Sequence, residues 1–312
     1  MISTVNLGRH IIKFFTPILF LVFSSLVMAC SMGIQEDQFS EKQLSPSLTV
    51  YQLCEPMQVK AFAIVIHGLN LKPEKMEPII IKLVESDIQV FNISLFGHGD
   101  NFAPMTDLTE TTARMESFKE VTYERWEEET YAIYKKVKLE ANQRKIPVFL
   151  VGYSLGGLVG VNLLASKPDV QFKKMVLFAP ALRIHMRSHF VKVLSPFPRL
   201  IIPSMSPISY RANSGTSVAA YLALFEGIES LERHLSKKLN IPTLVFLDRN
   251  DELVSYERMS KLLNDNDFYR WRIQEIQNEN PIYHHLIIDE VSLGKESWNQ
   301  INDSMIKHLF KN

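Results

Sequence analysis

From residue 48 to the C-terminus, short apolar runs alternate with longer helical stretches. "AFAIVIHG" (61–68), "IQVFNISL" (88–95), "PVFLVGYS" (147–154), "KKMVLFAPA" (173–181) and "PTLVFLD" (242–248) read as buried strands, rich in β-branched and aromatic residues and often closed by glycine or proline. Between them, "KPEKMEPIIIKLVESD" (72–87), "LGGLVGVNLLAS" (155–166) and "SYERMSKLLND" (255–265) read as helices, as does the charged stretch 116–145, whose charges form a solvated face. "LTVYQLC" (48–54) and "WRIQEIQ" (271–277) add strands, and "KESWNQINDSMIKHLF" (295–310) closes the chain as a helix. Strands joined through helices run parallel, so the expected class is α/β, a mostly parallel central sheet with helices on both faces. With 46% hydrophobic residues among 312, the chain can bury such a core in one domain, taken here as 48–312.

The alternation is broken between residues 181 and about 239. The stretch "LSPFPRLIIPSMSPISY" (194–210) carries Pro196, Pro198, Pro203 and Pro207, which exclude a continuous helix. An insertion of this length and apolar content inside a compact domain is expected to be a cap over the sheet edge.

The first residues follow different rules. Arg9, His10 and Lys13 precede the apolar run Phe14–Met28, which is shorter than the roughly 20 residues a membrane-spanning helix needs. Its end, "LVMAC", resembles a bacterial lipobox, so residues 1–29 are expected to be a lipoprotein signal peptide and Cys30 the lipid-accepting residue. An ordinary secretory signal or an anchor helix is the alternative. The polar stretch to residue 47 reads as a flexible tether. On this reading the protein is exported and anchored to the cell envelope by lipid, at the outer membrane if the source is Gram-negative. Basic and acidic residues balance at 34 each, which excludes the basic field of a nucleic-acid-binding protein. Two cysteines make neither a zinc spacing nor a disulfide framework.

"GYSLG" (152–156) is a G-x-S-x-G motif with a strand before it and a helix after it. In that setting the serine occupies a sharp turn, and glycine is required where a side chain would strike the neighbouring strand or helix. Ser154 is therefore the candidate nucleophile, standing exposed at the C-terminal edge of the sheet. The N-terminus of the following helix favours negative charge there. A serine nucleophile needs a base and a carboxylate to orient it. Asp248 and Asp251 follow a strand, and His284 and His285 precede the last helix.

In this order, "HGLN", "GHGDN", "GYSLGG", "DRND" and "YHH" resemble the α/β-hydrolase superfamily, and within it the monoacylglycerol lipase and lysophospholipase-like serine hydrolases. The resemblance implies the α/β-hydrolase fold, with a cap inserted after the sixth strand. It also implies hydrolysis of carboxylic esters without a cofactor or metal. It assigns the acid to Asp251 and the base to His284, the latter because His284 and Asp289 match the family's H-x-x-x-x-acid run. The oxyanion donors become the backbone N–H groups of Leu155 and Leu69. His67 is expected to be structural, and His98 to pack and hydrogen-bond near the site. A small lipophilic ester is the expected substrate, and the membrane a partner through the lipid. Two alternatives are a peptidase or thioesterase using the same residues, and a non-catalytic surface lipoprotein on the same scaffold.

Overall fold

The computed structural model describes residues 39–53, 58–204, 206–277 and 283–311. The expected signal peptide at 1–29, Cys30 and the first part of the tether lie outside the described residues.

The described chain opens with a hairpin. Strand β1 (Phe39–Ser45) turns at Pro46–Ser47 and pairs antiparallel with β2 (Leu48–Leu53). This corrects the expectation that the polar segment is tether as far as residue 47. Its polarity is that of an edge strand: β1 has one neighbour, and polar residues on such an edge discourage further pairing. Leu44 supplies its contact with the core.

Strand β3 (Ala61–Ile66) leads through α1 (Glu77–Val84) to β4 (Ile88–Ile93). The stretch expected as one helix over 116–145 is two. Helix α2 (Glu110–Phe118) starts at Thr109 and α3 (Tyr123–Arg144) at Thr122, each threonine hydroxyl accepting a backbone N–H of the first turn, from Thr112 and Arg125. The cap at Thr122 satisfies a donor that a broken helix leaves open. The buried Phe118 and Tyr123 pin both sides of the break.

Strand β5 (Val148–Tyr153) runs directly into α4 (Leu155–Ser166), followed by β6 (Lys174–Phe178). The insertion comes next, with a 3₁₀ segment at Met186–Leu194 and a small hairpin of β7 (Ile201–Pro203) and β8 (Gly215–Ser217). Helix α5 (Val218–His234), within the expected cap of 181–239, belongs instead to the body. Asn162 of α4 donates to Gly227 O at 2.7 Å, and Gly227 lies so close to Tyr123 that a Cβ would stand 2.6 Å from the phenol ring. The candidate cap therefore ends near Ser217. The chain finishes with β9 (Thr243–Leu247), α6 (Tyr256–Asp265), β10 (Trp271–Glu275), α7 (Glu290–Leu293) and α8 (Lys295–Phe310).

Eight strands form one sheet in the order β1-β2-β4-β3-β5-β6-β9-β10. The six from β4 to β10 are parallel, and β2 joins β4 antiparallel. Every residue of β3 and β5 is buried, as a strand covered on both faces requires. Helices α1 and α8 pack together as one layer, and α3, α4 and α5 as the other. The chain reverses its direction of winding between β4 and β5, on either side of β3. Ligands of open α/β sheets bind at the carboxyl ends of the strands beside such a reversal. The register pairs Ile66 with Gly152, so the residues after β3 and those after β5 leave the sheet side by side.

Candidate active site

Ser154 sits between the last residue of β5 and the first of α4, with φ 50° and ψ −112°. This is a left-handed, strained conformation for a residue with a side chain. The neighbouring backbone holds it there: Ser154 N donates to Phe178 O at 2.9 Å, and Ser154 O accepts from Leu158 N and Ala181 N. The glycines are required by space. A Cβ on Gly156 would overlap Ile66 O, and one on Gly152 would stand 2.6 Å from Gly157 N. The bend can close only because α4 lies directly against the strands.

The serine is less open than expected, with 7% exposure. The loop after β3 presses on it: a Cβ on Gly68 would meet Ser154 Cβ at 3.3 Å. The other close neighbour is an imidazole. His285 Nε2 lies 2.9 Å from Ser154 Oγ, and His285 Nδ1 lies 2.8 Å from Asp251 Oδ2. A carboxylate only accepts, so Nδ1 carries the proton and Nε2 accepts from the serine hydroxyl. The second oxygen of Asp251 accepts from Leu253 N at 2.8 Å and Val254 N at 2.7 Å, so both oxygens of a buried carboxylate are satisfied.

The structure thus brings together Ser154, Asp251 and His285, and leaves His284 outside the chain of hydrogen bonds. The expected pairing of His284 with Ser154 is corrected. His284 turns away and meets Asp248, Nδ1 to Oδ2 at 3.1 Å. The reason lies in how the backbone of His285 is gripped. Glu252 accepts its N–H at 2.9 Å, and Tyr153 OH donates to its carbonyl at 3.2 Å. With both backbone groups fixed, the ring of residue 285 faces the serine and that of residue 284 faces the other way. The acid spacing misled because Asp289 serves elsewhere: it caps α7 through Ser292 N and accepts from Tyr210 OH.

Burial lowers the basicity of the His285 imidazole, but the charge of Asp251, its hydrogen bond and the charge of Glu252 together outweigh that loss, and the net pKa is raised above 6.5. Glu252 and Tyr153 carry no sequence signal that marks them as partners of a histidine. Their roles emerge only when the loop after β10 meets the loop after β9, which carries Glu252, and the end of β5, which carries Tyr153.

Of the candidate donors, Leu155 follows the serine directly, and Leu69 lies in the loop after β3, next to the Gly68 that packs against Ser154. Among the described residues, neither backbone N–H donates to a protein acceptor. His67 and His98 form a buried pair under the loop that carries Leu69, with ring centroids 4.6 Å apart. His67 Nε2 accepts from Leu95 N at 3.0 Å, leaving Nδ1 to donate to Gly68 O at 2.8 Å. His98 Nε2 accepts from Asn70 N at 3.0 Å. Burial keeps both neutral, with the His67 pKa lowered to about 4 and that of His98 well below 6.5. They shape the loop and stand outside the Ser154–His285–Asp251 chain.

The sequence matches the Hydrolase_4 family, described as serine aminopeptidase, S33, over residues 57–219, more than half of the chain. Among solved structures, a soluble variant of monoglyceride lipase from Saccharomyces cerevisiae, in complex with a substrate analogue, superposes with a TM-score of 0.66. It is 14% identical, over 91% of this chain and 97% of that one. The monoacylglycerol lipase of Paleococcus ferrophilus gives 0.59 at 17% identity, over 80% and 95%. Est1E from Butyrivibrio proteoclasticus, with ferulic acid bound, gives 0.55 at 18%, over 85% and 96%. At these identities the likeness establishes the α/β-hydrolase fold and nothing finer. No curated protein matches the sequence significantly.

Proposed function

The chain belongs to the Hydrolase_4 (serine aminopeptidase, S33) family, and on that premise we propose that it is a serine hydrolase that cleaves carboxylic esters through an acyl-enzyme on Ser154. The observation that carries this reading is the continuous run of hydrogen bonds from Ser154 Oγ through His285 to Asp251. His285 takes the hydroxyl proton as Ser154 attacks the ester carbonyl, and Asp251 stabilises the imidazolium that results. The oxyanion rests on the N–H groups of Leu155 and Leu69, aided by the N-terminus of α4. His285 then returns the proton to the departing alcohol. In the second half, a water takes the place of the alcohol and frees the acid.

The substrate class we propose is a lipophilic ester such as a monoacylglycerol, a lysophospholipid or another acyl ester. Support comes from the cap, where Phe190, Phe197 and Ile208 are all exposed. The leader sequence adds to it: with lipid attached at Cys30, the enzyme would work at the cell envelope. Loss of membrane association in Cys30→Ser tests the attachment, and retention in the membrane fraction counts against it. The family's description favours a second reading, amide hydrolysis by the same residues. Faster turnover of aminoacyl p-nitroanilides than of p-nitrophenyl esters would select it.

The test of the reading itself is Ser154→Ala, a variant that keeps the backbone and removes only the hydroxyl. Hydrolysis of p-nitrophenyl butyrate is expected to vanish while circular dichroism stays that of the parent. Turnover surviving in the purified, folded variant refutes the assignment.

A further inference from the structure

Asn70 follows directly after Leu69, and it is the most heavily tied residue of that loop. It is 5% exposed and holds a left-handed φ of 54°, which asparagine tolerates better than most residues with a side chain. Each of its four polar groups has a partner. Its N–H donates to His98 Nε2 at 3.0 Å, and its C=O accepts from Ala212 N at 3.0 Å. Its side-chain Oδ1 accepts from Asn213 N at 2.8 Å, and its Nδ2 donates to Asn213 O at 3.2 Å. Three of the four bonds go to the cap.

The cap segment 210–213 is anchored at both ends. Lys72 N donates to Tyr210 O at 2.9 Å, and Leu71 and Arg211 form an antiparallel bridge, so the segment is zipped to the loop that carries Leu69. Asn213 Nδ2 reaches Gly97 O at 2.9 Å. In the other direction, Tyr210 OH donates to Asp289 Oδ2 at 2.7 Å. Asp289 caps α7 and stands four residues beyond His285. One short stretch of the cap therefore touches both the donor loop and the histidine loop.

Resting on the reading of Ser154 as nucleophile and Leu69 as oxyanion donor, we propose that segment 210–213 is a tie between the two, with Asn70 and Tyr210 as positioning residues that fix the donor relative to the base. Neither touches the reacting atoms. Their effect passes through Leu69 and His285. A donor displaced by a fraction of an ångström loses much of its value to the transition state and little of its value to the ground state.

The test uses Asn70→Gly, in which glycine accepts the left-handed backbone and only the two side-chain bonds to Asn213 are lost. With p-nitrophenyl butyrate, kcat is expected to fall about tenfold or more while KM stays within about threefold, since removing a donor outright costs on the order of 10²–10³. Inhibition by an aryl trifluoromethyl ketone, whose adduct with Ser154 carries an oxyanion, is expected to weaken by the same factor. Tyr210→Phe, which removes one bond and keeps the ring, is expected to lower kcat by a smaller factor of about three or more. Asn70→Asp keeps the acceptor for Asn213 N and loses the donor, and is expected to fall between wild type and Asn70→Gly.

Wild-type kcat in Asn70→Gly overturns the proposal, as does a loss of kcat with no change in ketone affinity. If Asn70→Gly does not fold, wild-type kcat in both Asn70→Asp and Tyr210→Phe overturns it instead. Should Ser154→Ala itself retain turnover, the underlying reading fails, an outcome distinct from a silent Asn70 variant beside an inactive serine variant.

Discussion

His284 and His285 are adjacent in the chain, yet their imidazoles bond to different aspartates, Asp248 at 3.1 Å and Asp251 at 2.8 Å. Only the second imidazole reaches Ser154. Separate replacements should therefore differ sharply. His285→Ala is expected to lose at least about 10³-fold in kcat, because a triad acts as a unit. His284→Ala removes a partly exposed partner of Asp248 and is expected to keep kcat within about tenfold. Steady-state kinetics on the two purified variants decide the matter, and a reversed order would return the base to His284.

Glu252 accepts the backbone N–H of His285 and is one of the charges that raise its pKa. The base must be neutral to accept the serine proton, so activity falls as pH drops through that pKa. The acid limb of kcat/KM is expected above 6.5, the value of an ordinary histidine. Glu252→Gln keeps an acceptor and removes the charge, and is expected to move the limb to lower pH. A pH–rate profile that does not move would remove Glu252 from the electrostatics of the base.

The buried His67 makes a separate prediction about stability. Its folded pKa of about 4 lies below the 6.5 of the unfolded chain, so between these values the unfolded state binds a proton that the folded state refuses. Stability is therefore intact above about pH 6.5 and falls as pH drops toward 4. The window contributes on the order of 2 kcal/mol between pH 7 and 4.5. Urea unfolding at the two pH values measures it, and His67→Gln is expected to lose less stability over that interval than wild type. An equal loss in both proteins would contradict it.

Gly156 packs so tightly under the strand end that a Cβ would overlap Ile66 O. Gly156→Ala is expected to cost about 3 kcal/mol or more, since the obstacle is backbone and cannot rotate away. Thermal unfolding checks this. A variant as stable as wild type would show that α4 can shift away from β3.

Much of the sheet was legible because buried parallel strands are largely apolar runs: β3 and β5 are so throughout, β6 and β9 after their first residue, and β4 apart from the buried Gln89 and Asn92. Strand β1 was not legible, because an edge strand such as "FSEKQLS" carries no apolar alternation to separate it from a tether. The end of the cap was equally hidden, since the apolar face of α5 looks the same whether it meets a ligand or α4. Ser154 could be singled out because its glycines are demanded by local geometry. The choice between His284 and His285 could not be made locally. It depends on Glu252 and Tyr153, which reach the histidine from more than 30 and 130 residues away in sequence. The ties at Asn70 have the same character, joining residues that only the folded cap brings together.

The most direct measurement is the site of covalent labelling by a fluorophosphonate, mapped by mass spectrometry in wild type and in His285→Ala. The account predicts one modified peptide, carrying the label on Ser154, and its disappearance when the imidazole of residue 285 is removed. A wild-type protein left unlabelled, or labelled equally without that imidazole, would contradict it.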